Sequence, residues 1–186
     1  TGIKFLGKGE WKCKKHGPEC RRQWRKLHIV IDAQTLQIRA ICVTSNNVRD
    51  ASVLPDLLPQ LPEDEVLESL TGDGAYDTQP VHEAVMRRGA SPVIPPRKNA
   101  RLRKGCVFEY RNVAIAACRR LGRGIWKRWS GYHRRSLVET KMHCIKRLGE
   151  RVMSRTFERQ VNELHIRAAI LNRFTELGRP QTAAVA

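Results

Sequence analysis

The chain has 186 residues, with 35 Lys and Arg against 18 Asp and Glu, a formal net charge of +17 and a pI near 10.4. That length suffices for one domain with a real core, so neither disulfides nor a structural metal are required to hold it together. No run of about eighteen apolar residues is present to cross a membrane, and so strong a positive charge calls for a polyanionic partner, nucleic acid before a membrane surface.

The opening "TGIKFLGKGE" has no initiator Met and no charged-then-apolar leader, which reads as a segment of something longer without a secretory signal. "TGIKFLG" is expected to form a short, truncated strand. "CKKHGPEC" brings Cys13, His16 and Cys20 close in sequence, with His28 the nearest fourth ligand, but structural zinc needs four ligands at a recognisable spacing, and a basic loop with incidental thiols is the simpler reading. The six cysteines form no C-x-x-C pair and read as reduced thiols. "WRKLHIVID" and "IRAICVT" are apolar, β-branched runs joined by "AQTLQ", which predicts an antiparallel hairpin with Asp32 at its turn. "DASVLPDLLPQL" predicts a short helix capped by Asp50 and limited by Pro55.

"EVLESLT" is expected as a strand running into Asp73, which stands between two glycines in "LTGDGAYDTQ", itself an ordinary turn composition. "DTQPVHEAVMRRG" has the signs of a helix: Asp77 or Thr78 as cap, Pro80 in the first turn and Gly89 past the end. "SPVIPP" predicts a strand, and a basic loop follows from Arg97 to about Tyr110. The remainder reads as helices: "RNVAIAACRRLG", "YHRRSLVETKMHCIKRLG" and "TFERQVNELHIRAAILNRFTELG". This order describes an α/β layer domain over 1–178, followed by a flexible tail over 179–186.

Charge is unevenly placed. Between Arg49 and Arg87 there is no Lys or Arg, while nine of the 18 acids fall there. The basic residues crowd into "GKGEWKCKKHGPECRRQWRK", "PPRKNARLRKG" and "CRRLGRGIWKRWSGYHRR". An acidic centre flanked by basic segments suits a site that holds cations while gripping phosphates. Within the second predicted C-terminal helix, Tyr132, Arg135, Glu139 and Lys146 fall within roughly a 60° sector at about 100° per residue.

That spacing of Tyr, Arg, Glu and Lys, together with "GDGAYD", resembles the DDE transposases of bacterial insertion sequences. "GEWKCKKHG", "WRKLHIVIDAQT", "VLPDLLPQL", "VIPPRKNAR" and "SRTFERQVNELHIRAAILNR" look like further segments of that family in the same order. The resemblance implies a ribonuclease-H-like fold, a mixed sheet flanked by helices, with three antiparallel strands followed by parallel ones. It implies an enzyme that cuts and joins DNA ends with Mg²⁺, for which Mn²⁺ can substitute. Asp73 and Glu139 would be two acids of the catalytic triad and ligands of the metal. Tyr132, Arg135 and Lys146 would contact DNA, and the basic runs add Arg97, Lys98 and Arg134 as expected DNA contacts. The same resemblance implies a homo-oligomer in a synaptic complex, a cytoplasmic location on bacterial chromosomal or plasmid DNA, and no membrane.

The family's first acid stands in a segment like Asp-Ser/Thr-Thr-Gly, just before the residues that correspond to "TGIK". It is therefore absent from this sequence, and a chain so truncated is expected to be inactive alone. Asp32 reads as a turn residue and Asp77 as a helix cap. A non-catalytic DNA-binding remnant and another nuclease on the same fold are the alternatives.

Overall fold

The computed structural model describes residues 2–5 and 24–178. The opening strand and the hairpin form where the apolar runs place them: β1 is Gly2–Phe5, β2 Arg25–Ile31 and β3 Ile38–Ser45. β2 pairs antiparallel with β3 along its length, with an irregularity at Val30/Ile31, and β1 pairs antiparallel with the start of β2 at Gly2↔Lys26 and Ile3↔Arg25. A two-residue strand, β6 (Arg151–Val152), adds parallel to β1, giving the order β3-β2-β1-β6. β4 (Ser69–Thr71) and β5 (Ser91–Val93) make a separate parallel pair. The expected strand "EVLESLT" is thus confined to its last three residues, since β5, its partner, is itself only three residues long.

Period-two alternation gives the hairpin two apolar faces. On one, Val30, Ala40 and Cys42 pack with Val53, Leu54, Leu57, Leu58, Leu61, Val81 and Val85. These come from the short helix α1 (Leu54–Leu57) with its flanking 3-10 turns, and from α2 (Gln79–Arg87). On the other face, Leu27, Ile29, Ile31, Ile41 and Val43 pack with Ile145, Leu164, Ala168 and Leu171. Those belong to α5 (Ser136–Arg147) and α6 (Phe157–Leu177). Helix, sheet and helix therefore form three layers, an α/β architecture with a mixed sheet. In the chain between β5 and α5, α3 (Glu109–Leu121) and α4 (Arg123–Trp129) pack on each other, with Trp126 buried.

Several local expectations need correction. Asp50 does not cap: the helix-like stretch starts after Arg49 without a side-chain cap, and Asp50 instead accepts from Lys26 Nζ at 3.0 Å. A long-range cation competes here with the local N–H groups that a cap would satisfy. Pro55 and Pro59 break the segment into 3-10, α and 3-10 pieces, as a proline-limited helix should. Thr78 takes the N-cap position of α2, not Asp77, and its side chain makes no cap hydrogen bond. The region read as loop to Tyr110 ends earlier, because a 3-10 turn over Cys106–Phe108 opens α3. Cys13, His16, Cys20 and the tail 179–186 lie outside the described residues. His28 is buried against Thr44, with Nε2 3.0 Å from its hydroxyl.

Leu164 is fully buried where α6 meets the sheet. Leu164→Ala is expected to cost about 2–5 kcal/mol, read as a lower midpoint in urea unfolding with an unchanged slope.

Candidate active site

Asp73 leaves the end of β4 and serves as N-cap of the 3-10 turn Gly74–Tyr76, its carboxylate accepting from the Ala75 N–H at 2.8 Å. The turn composition is therefore real, and it aims one half-buried carboxylate out of the strand end. The flanking glycines run close to their neighbours, although a Cβ would meet them only at ordinary contact distance: 3.4 Å from Tyr76 at Gly72 and 3.5 Å from the Pro95 carbonyl oxygen at Gly74. Burial, and after it the Asp50 and Asp73 carboxylates, pushes Tyr76 up to about 12, so the phenol stays protonated.

Glu139 stands in the first turn of α5. The preceding Tyr132–Arg135 is a 3-10 turn entered through Gly131, at φ 69°, so these residues do not continue the helix face that uniform α periodicity predicts. Arg135 still pairs with Glu139, Nη2 to Oε1 at 2.7 Å. The Tyr132 ring lies 5.6 Å from that of buried Trp126, with Lys127 Nζ 5.6 Å from its centroid. Burial raises the Tyr132 pKa, and the Asp73 and Glu139 charges add to this while Arg135 and Arg123 oppose it.

The 3-10 turn packs against β4, and a cavity of about 780 Å³ opens beside them. Asp73, Glu139, Arg134, Arg135 and Lys146 all line it. Tyr132 borders this region without lining the cavity, and Arg97 and Lys98 lie outside it on the exposed loop after β5. Asp32 also reaches the cavity, but its Oδ1 accepts from the Gln34 and Thr35 N–H groups at 2.7 and 3.3 Å, the turn role expected of it. Among the described residues, no group of three or more His, Cys, Asp and Glu side chains could hold a metal ion. Asp73 and Glu139 are hard oxygen donors of the kind Mg²⁺ takes, two in number.

Sequence reasoning missed the role of Asp77. Its buried Oδ1 receives Arg111 Nε at 2.7 Å and His82 Nε2 at 3.1 Å, and its Oδ2 receives the Arg97 N–H at 3.3 Å. A carboxylate only accepts, so His82 carries its proton on Nε2. Burial alone would raise the Asp77 pKa, but the His82 and Arg111 hydrogen bonds, the Arg111 charge and the Arg97 N–H outweigh it and bring it to about 2. No local signal gives this away, since Arg111 is 34 positions distant. A pKa depressed in the folded state stabilises above the unfolded value near 4, and that stability is lost as pH falls toward 2. The contribution is about 2 kcal/mol. Unfolding free energy should drop across that window, and Asp77→Asn, less stable at neutral pH, should show a shallower acid limb in urea titrations at several pH values.

No solved structure matches the chain. The family model described as the Transposase DDE domain matches residues 1–173, nearly all of the described fold and both candidate acids. The chain belongs to the DDE transposase family.

Proposed function

We propose that this chain is the catalytic core of an insertion-sequence transposase, built on a ribonuclease-H-like sheet, that performs metal-dependent phosphodiester cleavage and strand transfer. The observation that carries this reading is the cavity shared by Asp73, Glu139, Arg134, Arg135 and Lys146. Carboxylates and cations at one opening suit a substrate that brings both phosphates and divalent ions. Asp73 and Glu139 would hold the metal, Mg²⁺ or Mn²⁺, which when bound activates an attacking oxygen and stabilises the leaving one. Arg134, Arg135 and Lys146 would position the scissile strand, and Tyr132, held by Trp126, would donate its hydroxyl proton toward a phosphate oxygen. Arg97 and Lys98 would bind backbone further along the duplex. The working assembly would be a homo-oligomer bridging transposon ends on bacterial DNA.

Two carboxylates are few for a site that balances two like-charged metals, and a third is expected on a neighbouring strand. β1 lies on the second edge of β2, pairing at Gly2↔Lys26 and Ile3↔Arg25, and His28–Ile31 line the same cavity as Ser69–Thr71 of β4. A strand continuing β1 at the same register would run along that edge and bring an acid toward Asp73. A site short of one carboxylate is expected to cleave DNA more slowly than one that has it. Losses of several kcal/mol of barrier follow from a missing ligand, at about tenfold per 1.36 kcal/mol.

The test compares this segment with one carrying Asp-Ser before Thr1, both given a separately expressed DNA-recognition domain and end-containing DNA. The extended protein should nick faster in Mg²⁺ or Mn²⁺. Comparable nicking by both would show that the first acid has been misplaced, with Asp32 the next residue to mutate. Asp73→Asn and Glu139→Gln should each weaken Mn²⁺ binding by at least about tenfold in calorimetry, by analogy with losses at metal sites. Unchanged binding in both would remove the metal site.

A further inference from the structure

The segment 94–105, between β5 and the turn that opens α3, presents Arg97, Lys98, Arg101, Arg103 and Lys104, all exposed. From 84 to 108 the sequence has no acidic residue. Among the described residues none of these five side chains pairs with a carboxylate; Arg103 lies over the Phe108 ring at 5.2 Å. So dense a run of like charge, left to itself, would repel and extend.

It is instead tied down at its backbone, and the ties come from one side. Arg111 Nη1 donates to the Arg101 carbonyl at 2.8 Å, Arg119 Nη2 to that of Ala100 at 3.0 Å, and Arg123 Nη2 to that of Pro96. Asn112 grips Arg103 twice, accepting from its N–H at 3.1 Å and donating to its carbonyl at 2.6 Å. The donors on α3 and α4 thus occupy carbonyls, while the segment's own cations stay outward. Asp77 stands under this arrangement: it fixes buried Arg111 through Oδ1 and the Arg97 N–H through Oδ2. It also closes the 3-10 turn that Asp73 opens.

We propose that Asp77, acting through Arg111, is a positioning residue that holds 94–105 as a prefolded cationic track for one nucleic-acid backbone leading to Asp73. This rests on the DNA reading above. Phosphate contacts set register on a duplex without reading sequence, and a track already ordered loses less conformational freedom on binding. The turn between Asp73 and Asp77 abuts the start of the track at Pro95, so a backbone seated there would be aligned with the candidate acids.

The experiment measures binding of a fluorescent duplex of arbitrary sequence by anisotropy at several salt concentrations, well below the unfolding temperature, with circular dichroism as a check on folding. Removing two phosphate contacts, as in Arg103→Ala/Lys104→Ala, should make the slope of log K against log salt shallower by about 1.8, at about 0.9 each. Asp77→Asn removes one negative charge, so a purely electrostatic surface predicts equal or tighter binding. The track predicts binding roughly tenfold weaker, with faster hydrogen exchange at the Arg97 and Arg103 amides. If Asp77→Asn fails to fold, Asn112→Ala decides, since it leaves the charge unchanged and frees Arg103; it should weaken binding and flatten the slope. A folded Asp77→Asn that binds as tightly as wild type, or an Asn112→Ala with unchanged affinity and slope, overturns the track. Failure of the wild-type protein to bind duplex at low salt overturns the DNA reading itself.

Discussion

A buried carboxylate in a chain of net charge +17 is the constraint on which the local architecture turns. Asp77 is closed off from water, yet stays ionised because a guanidinium, an imidazole N–H and a backbone N–H converge on it. Burying such a charge without partners costs several kcal/mol, and so does burying Arg111 without Asp77. The cluster is consequently favourable only when complete. Its completeness fixes α2 through His82, α3 through Arg111 and the chain after β5 through Arg97, three segments that no strand pairing connects. Asp73 sits four positions earlier on the same turn, so its placement inherits that rigidity.

The acid on the other side of the cavity is held by different means. Glu139 belongs to α5, whose Ile145 is fully buried beneath the sheet with Leu164 and Val152. One acid therefore rides on the β4 turn, backed by the α1 and α2 layer, and the other on the opposite helical layer. Both line the same cavity. Tyr132 lies in the turn that leads into α5, its ring against that of Trp126.

What could be read from the sequence follows from range. Strand alternation in 25–31 and 38–45, the proline at the start of α2, and glycines past the ends of α2 and α6 are local signals, and the structure carries them where they stand. The positions that misled are those where a distant partner outcompetes a local one. Asp50 reads as a cap but pairs with Lys26, and Asp77 reads as a cap but pairs with Arg111. The helix face of Tyr132, Arg135, Glu139 and Lys146 assumed one period throughout, whereas Gly131 admits a left-handed turn that tightens the first four residues into 3-10 geometry. β6, two residues long, is too short to have a periodicity at all. Of the candidate site, the residue types were legible and the supporting network was not.

The Arg135–Glu139 pair illustrates how weak contacts can serve such a site. It is one helical turn long and its carboxylate side chain is 62% exposed, so water screens it and its worth is at most a few tenths of a kcal/mol. Neither charge has to be torn from a buried partner. A phosphate can draw the guanidinium and a cation the carboxylate at little cost, whereas the same exchange at Asp77 would break a desolvated cluster. Strength is placed in the network that sets the geometry, and weakness at the opening of the cavity.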